Sequence, residues 1–423
     1  MPYTNNSFPD TTLTDQGRLQ IGTLEISAAL PASGATVRIT QRGQPANVID
    51  ELVSDSSGRT PTVYLPAPPV DYSMQLTDVR PYSEYDVSVI MDGFVHAYVE
   101  GVQILPDTTS YQDVRLRPGI AYPDDVDVIS IKEHTLWGNF PPKVPEMDTK
   151  PLPPSTGLVV LPEPVIPEYV VVHAGRPEDT SAPNYWVPFK DYIKNVASCE
   201  IYANWPQQTI IANVLAIISF TLNRVYTEWY PSKGYDFTIT NSTAFDHAFS
   251  YGRNIFQEIS RVVDDIFTTF ITRPNIRQPL LTQYCDGKRV SCPDWMTQWG
   301  SKQLGDEGYA AIDILKRFYG YDIFLMSANK VAGLPSSYPG APLQMGSSGQ
   351  NVRVIQEQLN AISNNFPAIN KVRVDGVFGD ETRRAVEAFQ NIFRLASDGI
   401  VGFSTWYKLS QIYVSVTRMA ELR

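Results

Sequence analysis

Histidine and cysteine are scarce: the 423 residues hold four of the first and three of the second. No two cysteines stand at a Cys-x-x-Cys spacing and the histidines are scattered, so the sequence offers no metal site and calls for no cofactor. Three cysteines cannot all pair with one another. Cys285 and Cys292 flank the turn signal Asp286-Gly287, which can bring two sulfurs within bridging distance. A hairpin disulfide is one reading; two reduced thiols, the rule in the cytosol, is the other. Positive charge is also short. Lys and Arg number 34 against 45 Asp and Glu, a net charge of −11, which argues against nucleic acid or an anionic membrane surface as a partner. Long hydrophobic runs are missing: the longest, Thr209 to Leu222, is interrupted by Asn213 and reads as a buried helix rather than a membrane span. Met1 to Asp15 lacks a positive region followed by an apolar run, so no secretory signal is legible.

What is present is a globular composition, 43% hydrophobic and 19% charged, in a chain long enough for about two to four domains. Twenty-three tyrosines and seven tryptophans suit recognition by stacking and hydrogen bonds, although many such rings serve as core.

Residues 17–118 read as short strands. Leu24-Glu25-Ile26-Ser27, Thr36-Val37-Arg38-Ile39, Tyr85-Asp86-Val87-Ser88-Val89 and Val114-Arg115-Leu116 alternate apolar with polar, between turn signals such as Ser57-Gly58 and Asp92-Gly93. An all-β sandwich is expected. Its layout, with Asp55-Ser56-Ser57-Gly58 before a strand and Asp92-Gly93-Phe94 after one, resembles the transthyretin-like fold of carboxypeptidase regulatory domains. Residues 119–166 follow as a linker; from Pro141 to Pro167 proline recurs every few residues, as in an extended, protease-accessible segment. Residues 167–329 have the mixed periodicity of an α+β domain, with a strand at Tyr169–His173, helices from Pro206 to about Tyr230 and from about Tyr251 to Phe270, and a helical pair ending at Tyr319-Gly320. Residues 330–342, with Leu334-Pro335-Ser336-Ser337, form a second linker.

The C-terminal stretch repeats itself. Val374-Asp375-Gly376-Val377-Phe378-Gly379 returns as Ser397-Asp398-Gly399-Ile400-Val401-Gly402, each an Asp-Gly turn wanting a positive φ at glycine, followed by an N-cap candidate, Asp380 or Ser404. Three helices are expected, with Val352, Ile355, Leu359 and Ile362 inward on the first, Ala385, Val386 and Phe389 on the second, and Trp406, Leu409 and Tyr413 on the third. This order of helices and turns, from 343 to 413, resembles the bacterial peptidoglycan-binding domain of wall hydrolases, which implies peptidoglycan as the partner.

In the α+β domain Glu200 stands out by position. It lies in Cys199-Glu200-Ile201-Tyr202-Ala203-Asn204-Trp205-Pro206, where charges are scarce, so burial should raise its pKa toward that of a general acid. The N-terminal dipole of the helix that follows pulls the other way. Tyr192-Ile193 through Glu200, Trp205-Pro206, Asn223-Arg224-Val225-Tyr226 and Met296-Thr297-Gln298-Trp299-Gly300 resemble the stage II sporulation protein D and amidase-enhancer family. That resemblance implies that Glu200 is the catalytic acid of a lytic transglycosylase, cutting between N-acetylmuramic acid and N-acetylglucosamine with the sugar's own 6-hydroxyl as nucleophile. One carboxylate then suffices, unlike the usual glycosidase pair. Tyr202, Trp205, Tyr284, Gln298 and Trp299 are substrate-binding candidates or else core. The family's zinc-binding His and Cys are replaced by Thr240-Asn241-Ser242-Thr243, so no metal is carried over. Asp264 and Asp265 read as an exposed helix face, and His247 as structural.

The whole order of domains resembles the clostridial spore cortex-lytic enzymes. The resemblance implies a proenzyme kept in the cortex and coat region of the spore and cut by a subtilisin-like germination protease, with the N-terminal sandwich as pro-domain and the cut between about Gly119 and Ile166. A non-catalytic wall-binding amidase enhancer is the rival reading.

Overall fold

The computed structural model describes residues 15–26, 30–119, 125–147, 163–334 and 337–421, the last four without their side chains. The N-terminal reading of residues 1–14, Ser27, the linker stretches 120–124 and 148–162, and Pro335 and Ser336 lie outside the described residues.

The N-terminal part contains β1 (Asp15–Glu25), β2 (Thr36–Gln41), β3 (Gln44–Val53), β4 (Val63–Ala67), a turn of helix α1 (Asp71–Met74), β5 (Ser83–Ile90), β6 (His96–Ile104), β7 (Thr109–Leu116) and β8 (Val126–Ser130). One sheet runs β3-β2-β5-β6-β8, and β7, β1 and β4 lie side by side in another. Leu19, Ile21, Val63, Leu65 and Val114 from the latter share one buried core with Val37, Ile39, Val87, Val89 and Val99 from the former. Strand alternation explains why: every second residue turns inward, and the branched side chains fill the gap between sheets.

The central part begins with β9 (Tyr169–His173) and β10 (Asn184–Pro188), an antiparallel pair, then α2 (Phe189–Glu200), α3 (Gln207–Tyr226), β11 (Ile239–Thr240), β12 (Ile255–Phe256), α4 (Gln257–Ile266) and β13 (Thr269–Thr272). It ends with β14 (Tyr284–Cys285), β15 (Met296–Thr297), α5 (Gln298–Asp306), α6 (Ala311–Tyr319) and β16 (Phe324–Ser327). By length and composition α3 could cross a membrane, yet 83% of its apolar window is buried among the other elements. Its hydroxyls are satisfied internally: Ser219 Oγ donates to Leu215 O at 2.6 Å and accepts Ile271 N–H at 2.8 Å. The helix expected over 251–270 is instead a strand, a shorter helix and a second strand. Ile255 and Phe256 pair with Tyr111 and Ser110 of β7, so a central-domain segment completes the N-terminal sheet.

Asp264 corrects another expectation. It is buried and lies 3.1 Å from Lys190 Nζ and 2.7 Å from Lys194 Nζ. Burial opposes its charge, yet Lys190, Lys194 and Lys408 outweigh burial and hold it well below the ordinary carboxylate range. Its neighbour Asp265 is exposed. The amphipathic pattern was therefore right in kind, with its seam one residue out, because two lysines on α2 draw the carboxylate inward.

Residues 126–147 also depart from the linker reading. Val126–Ser130 pairs parallel with β6, Leu136 is buried, and Val144 N–H donates to Ala244 O at 2.7 Å. The prolines make this segment extended without making it free, since backbone donors between them still find central-domain acceptors.

The C-terminal part has α7 (Gln350–Ser363), α8 (Asp380–Ile392) and α9 (Phe403–Glu421), around Val352, Ile355, Leu359, Val386, Phe389 and Trp406. Gly376 and Gly399 take the left-handed φ of 76° and 69° that each Asp-Gly turn requires. The caps differ from expectation: Gly379 precedes α8 and Asp380 is already in its first turn, where the helix dipole favours its charge. Ser404 lies inside α9 and donates to Asp265. Arg394 ties these helices to the N-terminal sheet, 2.8 Å from Asp113 and with its guanidinium 4.2 Å from the Tyr111 ring centre.

Candidate active site

Glu200 is the last residue of α2, its side chain buried with 3% relative exposure. The sequence suggested a helix N-terminus pulling its pKa down. It sits instead at the carbonyl end of its own helix, which disfavours a negative charge. Its Oε1 accepts the Ala248 N–H at 2.7 Å, and its Oε2 accepts the Tyr284 hydroxyl. Burial pushes the carboxyl up to about 7, against Lys143, the Tyr284 hydroxyl and the Ala248 N–H, which all favour the ionised form. A carboxyl so placed is protonated below neutrality and can give up its proton near it.

A parallel strand pair brings the other polar partners to it. Tyr284 and Cys285 of β14 register with Met296 and Thr297 of β15, and α5 opens at Gln298 immediately afterward. Gln298 Nε2 consequently reaches the Glu200 carbonyl at 3.0 Å. The loop between the strands is fixed twice. The Asp286 carboxylate accepts the N–H groups of Lys288, Arg289 and Val290 at 3.2, 2.8 and 2.7 Å, and Cys285 is joined to Cys292 with Cα atoms 6.0 Å apart. Gly287 has a φ of 77°, and any side chain there would collide with Thr297.

Tyr202, Trp205 and Trp299 form a buried aromatic cluster, with ring centres 5.7 Å apart for Tyr202–Trp205 and 5.1 Å for Trp205–Trp299. Residue Ser73 of α1 covers it: the Trp205 indole N–H donates to Ser73 O at 2.9 Å and Asn204 Nδ2 to Ser73 Oγ at 2.6 Å. These rings are core. Tyr284 and Gln298 are the two candidates that touch Glu200 directly. His247 is buried beside them, its Nδ1 3.0 Å from the Tyr192 hydroxyl and its ring stacked at 5.8 Å on Tyr284; burial first, then Lys143 and Arg224, hold it neutral. Among the described residues no group of three or more His, Cys, Asp or Glu side chains converges as a metal would need.

Sequence reasoning missed Lys143, Glu146 and Asp246, and it met Arg224 only as part of the Asn223-Arg224-Val225-Tyr226 block, without its partners. Arg224 is fully buried, with Nε 2.6 Å from Asp246 Oδ1 and its two terminal nitrogens 2.9 and 2.7 Å from the Glu146 oxygens. Lys143 lies over the rings of Phe220 and Tyr284, 4.9 and 5.0 Å from their centres, and donates to the Asp246 carbonyl. The one signal in the sequence was a pair of opposite charges, Lys143 and Glu146, set among the prolines of Pro141-Pro142-Lys143-Val144-Pro145-Glu146.

The family model described as "Putative peptidoglycan binding domain" matches residues 348–409. The zinc D-Ala-D-Ala carboxypeptidase of Streptomyces albus G is 38% identical over 71 residues, 16% of this chain and 26% of the relative, so this chain spans about a quarter of that relative's length. Among solved structures, a SleB N-terminal domain is 33% identical over 17% of this chain and 93% of its own, with a TM-score of 0.15. A peptidoglycan-binding protein from Clostridioides difficile, solved with glutamine hydroxamate, is 32% identical over 21% of this chain and 49% of its own, with a TM-score of 0.16. The chain is thus a multidomain α/β protein whose C-terminal region is a peptidoglycan-binding domain. These matches lie in the C-terminal region and speak for that region alone.

Proposed function

We propose that the protein is a lytic transglycosylase of spore-cortex peptidoglycan, held as a proenzyme until a subtilisin-like germination protease cuts it, and that it acts within the spore. The observation that carries this reading is Glu200, a buried carboxyl raised to about 7, in a chain that also carries a peptidoglycan-binding domain. Protonated Glu200 gives its proton to the oxygen between N-acetylmuramic acid and N-acetylglucosamine. The C1–O bond breaks, the muramic 6-hydroxyl closes on C1, and its proton returns to Glu200, leaving a 1,6-anhydro end with no water consumed. Tyr284 holds the carboxyl in place during both transfers, and the peptidoglycan-binding domain keeps the catalyst on an insoluble substrate by raising local concentration. The transthyretin-like sandwich serves as the pro-domain.

One observation favours the rival. Both Glu200 oxygens are engaged by protein donors, as they would be in a non-catalytic amidase enhancer. Digestion of purified cortex with the chain cut inside 148–162, followed by mass analysis, decides between them. Anhydromuramic ends are expected, reduced about 10²–10⁴-fold by Glu200→Gln. Reducing ends would make it a hydrolytic muramidase, and intact glycan would leave the enhancer.

A further inference from the structure

Residues 131–147 form a strap across the central domain. Thr135 N–H donates to Cys199 O at 3.0 Å, one residue before Glu200, and His134 Nε2 lies 3.3 Å from Ile201 O, one residue after it. Further along, Gln283 clasps the strap from beside Tyr284: its Nε2 donates to Val144 O at 2.8 Å and its Oε1 accepts Glu146 N–H at 2.8 Å. Lys143 covers the Tyr284 and Phe220 rings, and the Arg224 guanidinium lies on the same Phe220 ring at 4.8 Å. Contacts therefore run from Glu200 through Tyr284, His247 and Phe220 to Arg224.

Arg224 is over-supplied with carboxylate. Asp246, from its own domain and itself fully buried, neutralises it through Nε and also accepts the Tyr230 hydroxyl at 2.6 Å and the Thr240 N–H at 2.9 Å. A structural ion pair is complete at that point. Glu146 adds a second carboxylate, bidentate on the two terminal nitrogens, and it comes from the strap. Without the strap, Nη1 has no other acceptor among the described hydrogen bonds, and Nη2 keeps the Phe245 carbonyl at 2.9 Å. A planar fork held rigid by Asp246 and by aromatic faces is a receptor for another carboxylate.

We infer that Arg224 is a carboxylate-binding subsite joined to Glu200 through the Tyr284, His247 and Phe220 rings, that Glu146 fills it as an internal stand-in for substrate, and that its ligand is a carboxylate of the muramoyl-peptide. This rests on the reading of Glu200 as an acid acting on peptidoglycan. The strap then does two things at once: it covers the carboxyl and occupies the site that would orient the glycan. A cut on the C-terminal side of Met147 turns this internal occupant into a separate molecule that substrate can replace.

Binding rather than turnover tests it. Full-length wild type, Glu146→Ala and Glu146→Gln are titrated calorimetrically with N-acetylmuramic acid, muramyl dipeptide and N-acetylglucosamine, with circular dichroism reporting the fold. Glu146→Gln keeps the shape of the side chain and removes its charge, so it stands in where the alanine variant unfolds. Both variants are expected to gain one binding site over wild type, or at least about a tenfold affinity at it, for the carboxylate-bearing ligands and none for N-acetylglucosamine. A gain for the dipeptide assigns a stem carboxylate, whereas a gain for N-acetylmuramic acid alone, whose lactyl carboxyl is amide-linked in a muramoyl-peptide, overturns the assignment of the ligand. The peptidoglycan-binding domain is common to all three proteins and cancels. Folded variants that bind like wild type, or that gain equally for N-acetylglucosamine, overturn the subsite. Loss of glycan cleavage with the new site present would count only against the transglycosylase.

Discussion

At the scale of single residues, Glu200 decides most. Its folded pKa of about 7 exceeds the ordinary unfolded value, so between the two the folded state holds a proton that the unfolded state has lost. Stability contributed by the neutral carboxyl is therefore complete below about pH 4.5 and lost as pH rises through about 7. Lys143, lowered to about 8 by burial against the pull of Glu200 and Asp246, begins to titrate only at the upper edge of this window. Glu200→Gln removes the titration. Relative to wild type it should gain on the order of 3 kcal/mol between pH 5 and pH 8.5 in urea denaturation; a difference that does not change with pH would mean that Glu200 titrates as an exposed carboxylate does. The sequence made Glu200, Tyr284 and Gln298 readable through local wording. It did not reveal that Ala248, Lys143 and the Glu146–Arg224 pair gather nearby, because nothing in the local wording says which distant segments meet in tertiary packing.

Among elements, the repeated Asp-Gly turns are the most telling. Gln356 Nε2 donates to Asp375 Oδ1, Val377 O and Thr382 Oγ1 at 3.1, 3.0 and 3.1 Å, while its Oε1 accepts Gly376 N–H at 2.8 Å. Gln390 repeats the set on Asp398, Ile400, Thr405 and Gly399 at 2.8, 2.9, 3.1 and 2.8 Å. One buried amide on each of α7 and α8 thus fixes the turn before the next helix, and the repeat is a Gln-plus-turn unit rather than a turn alone. The turns and helix faces were legible as spacing. The glutamines were not, because they pin their turns from 19 and 8 residues away and no single period links them. Edge strand β3 was illegible for another reason: Gln44–Val53 is exposed along most of its length, so alternation has nothing to encode. Gln390→Leu keeps the volume and strips the turn of its donors and acceptor. It should cost about 1–3 kcal/mol for each buried group left unsatisfied, read as a lower melting temperature of the full chain with weaker sedimentation on peptidoglycan, whereas the exposed control Gln344→Leu should change neither.

For the whole molecule, the boundary between the N-terminal and central parts is a shared structure more than a linker. Asn254, buried, donates to Gln103 O at 2.8 Å and accepts Gln103 N–H at 3.1 Å, while Arg253 reaches Gln103 Oε1 at 3.0 Å. Beside them β12 lengthens the sheet of β7. Proline spacing gave a linker reading here because it reports local extension and is blind to what the extended chain lies against. The consequence is kinetic and concentration-dependent. A cut inside 148–162 removes the tether, whose effective concentration is of the order of millimolar, yet leaves these hydrogen bonds and the apolar contacts in place. The two pieces should therefore co-elute in gel filtration at high concentration and separate on dilution. Asn254→Ala leaves the Gln103 N–H without its Asn254 acceptor, while the Gln103 C=O keeps the Ser110 hydroxyl at 3.0 Å, a penalty of about 1–3 kcal/mol and so roughly 5- to 150-fold weaker association. Sedimentation of the cut proteins across a dilution series measures it directly: a wild-type complex that falls apart at every concentration would show that the sheet junction does not hold the pieces together, and an unchanged midpoint for the variant would remove Asn254 from that junction.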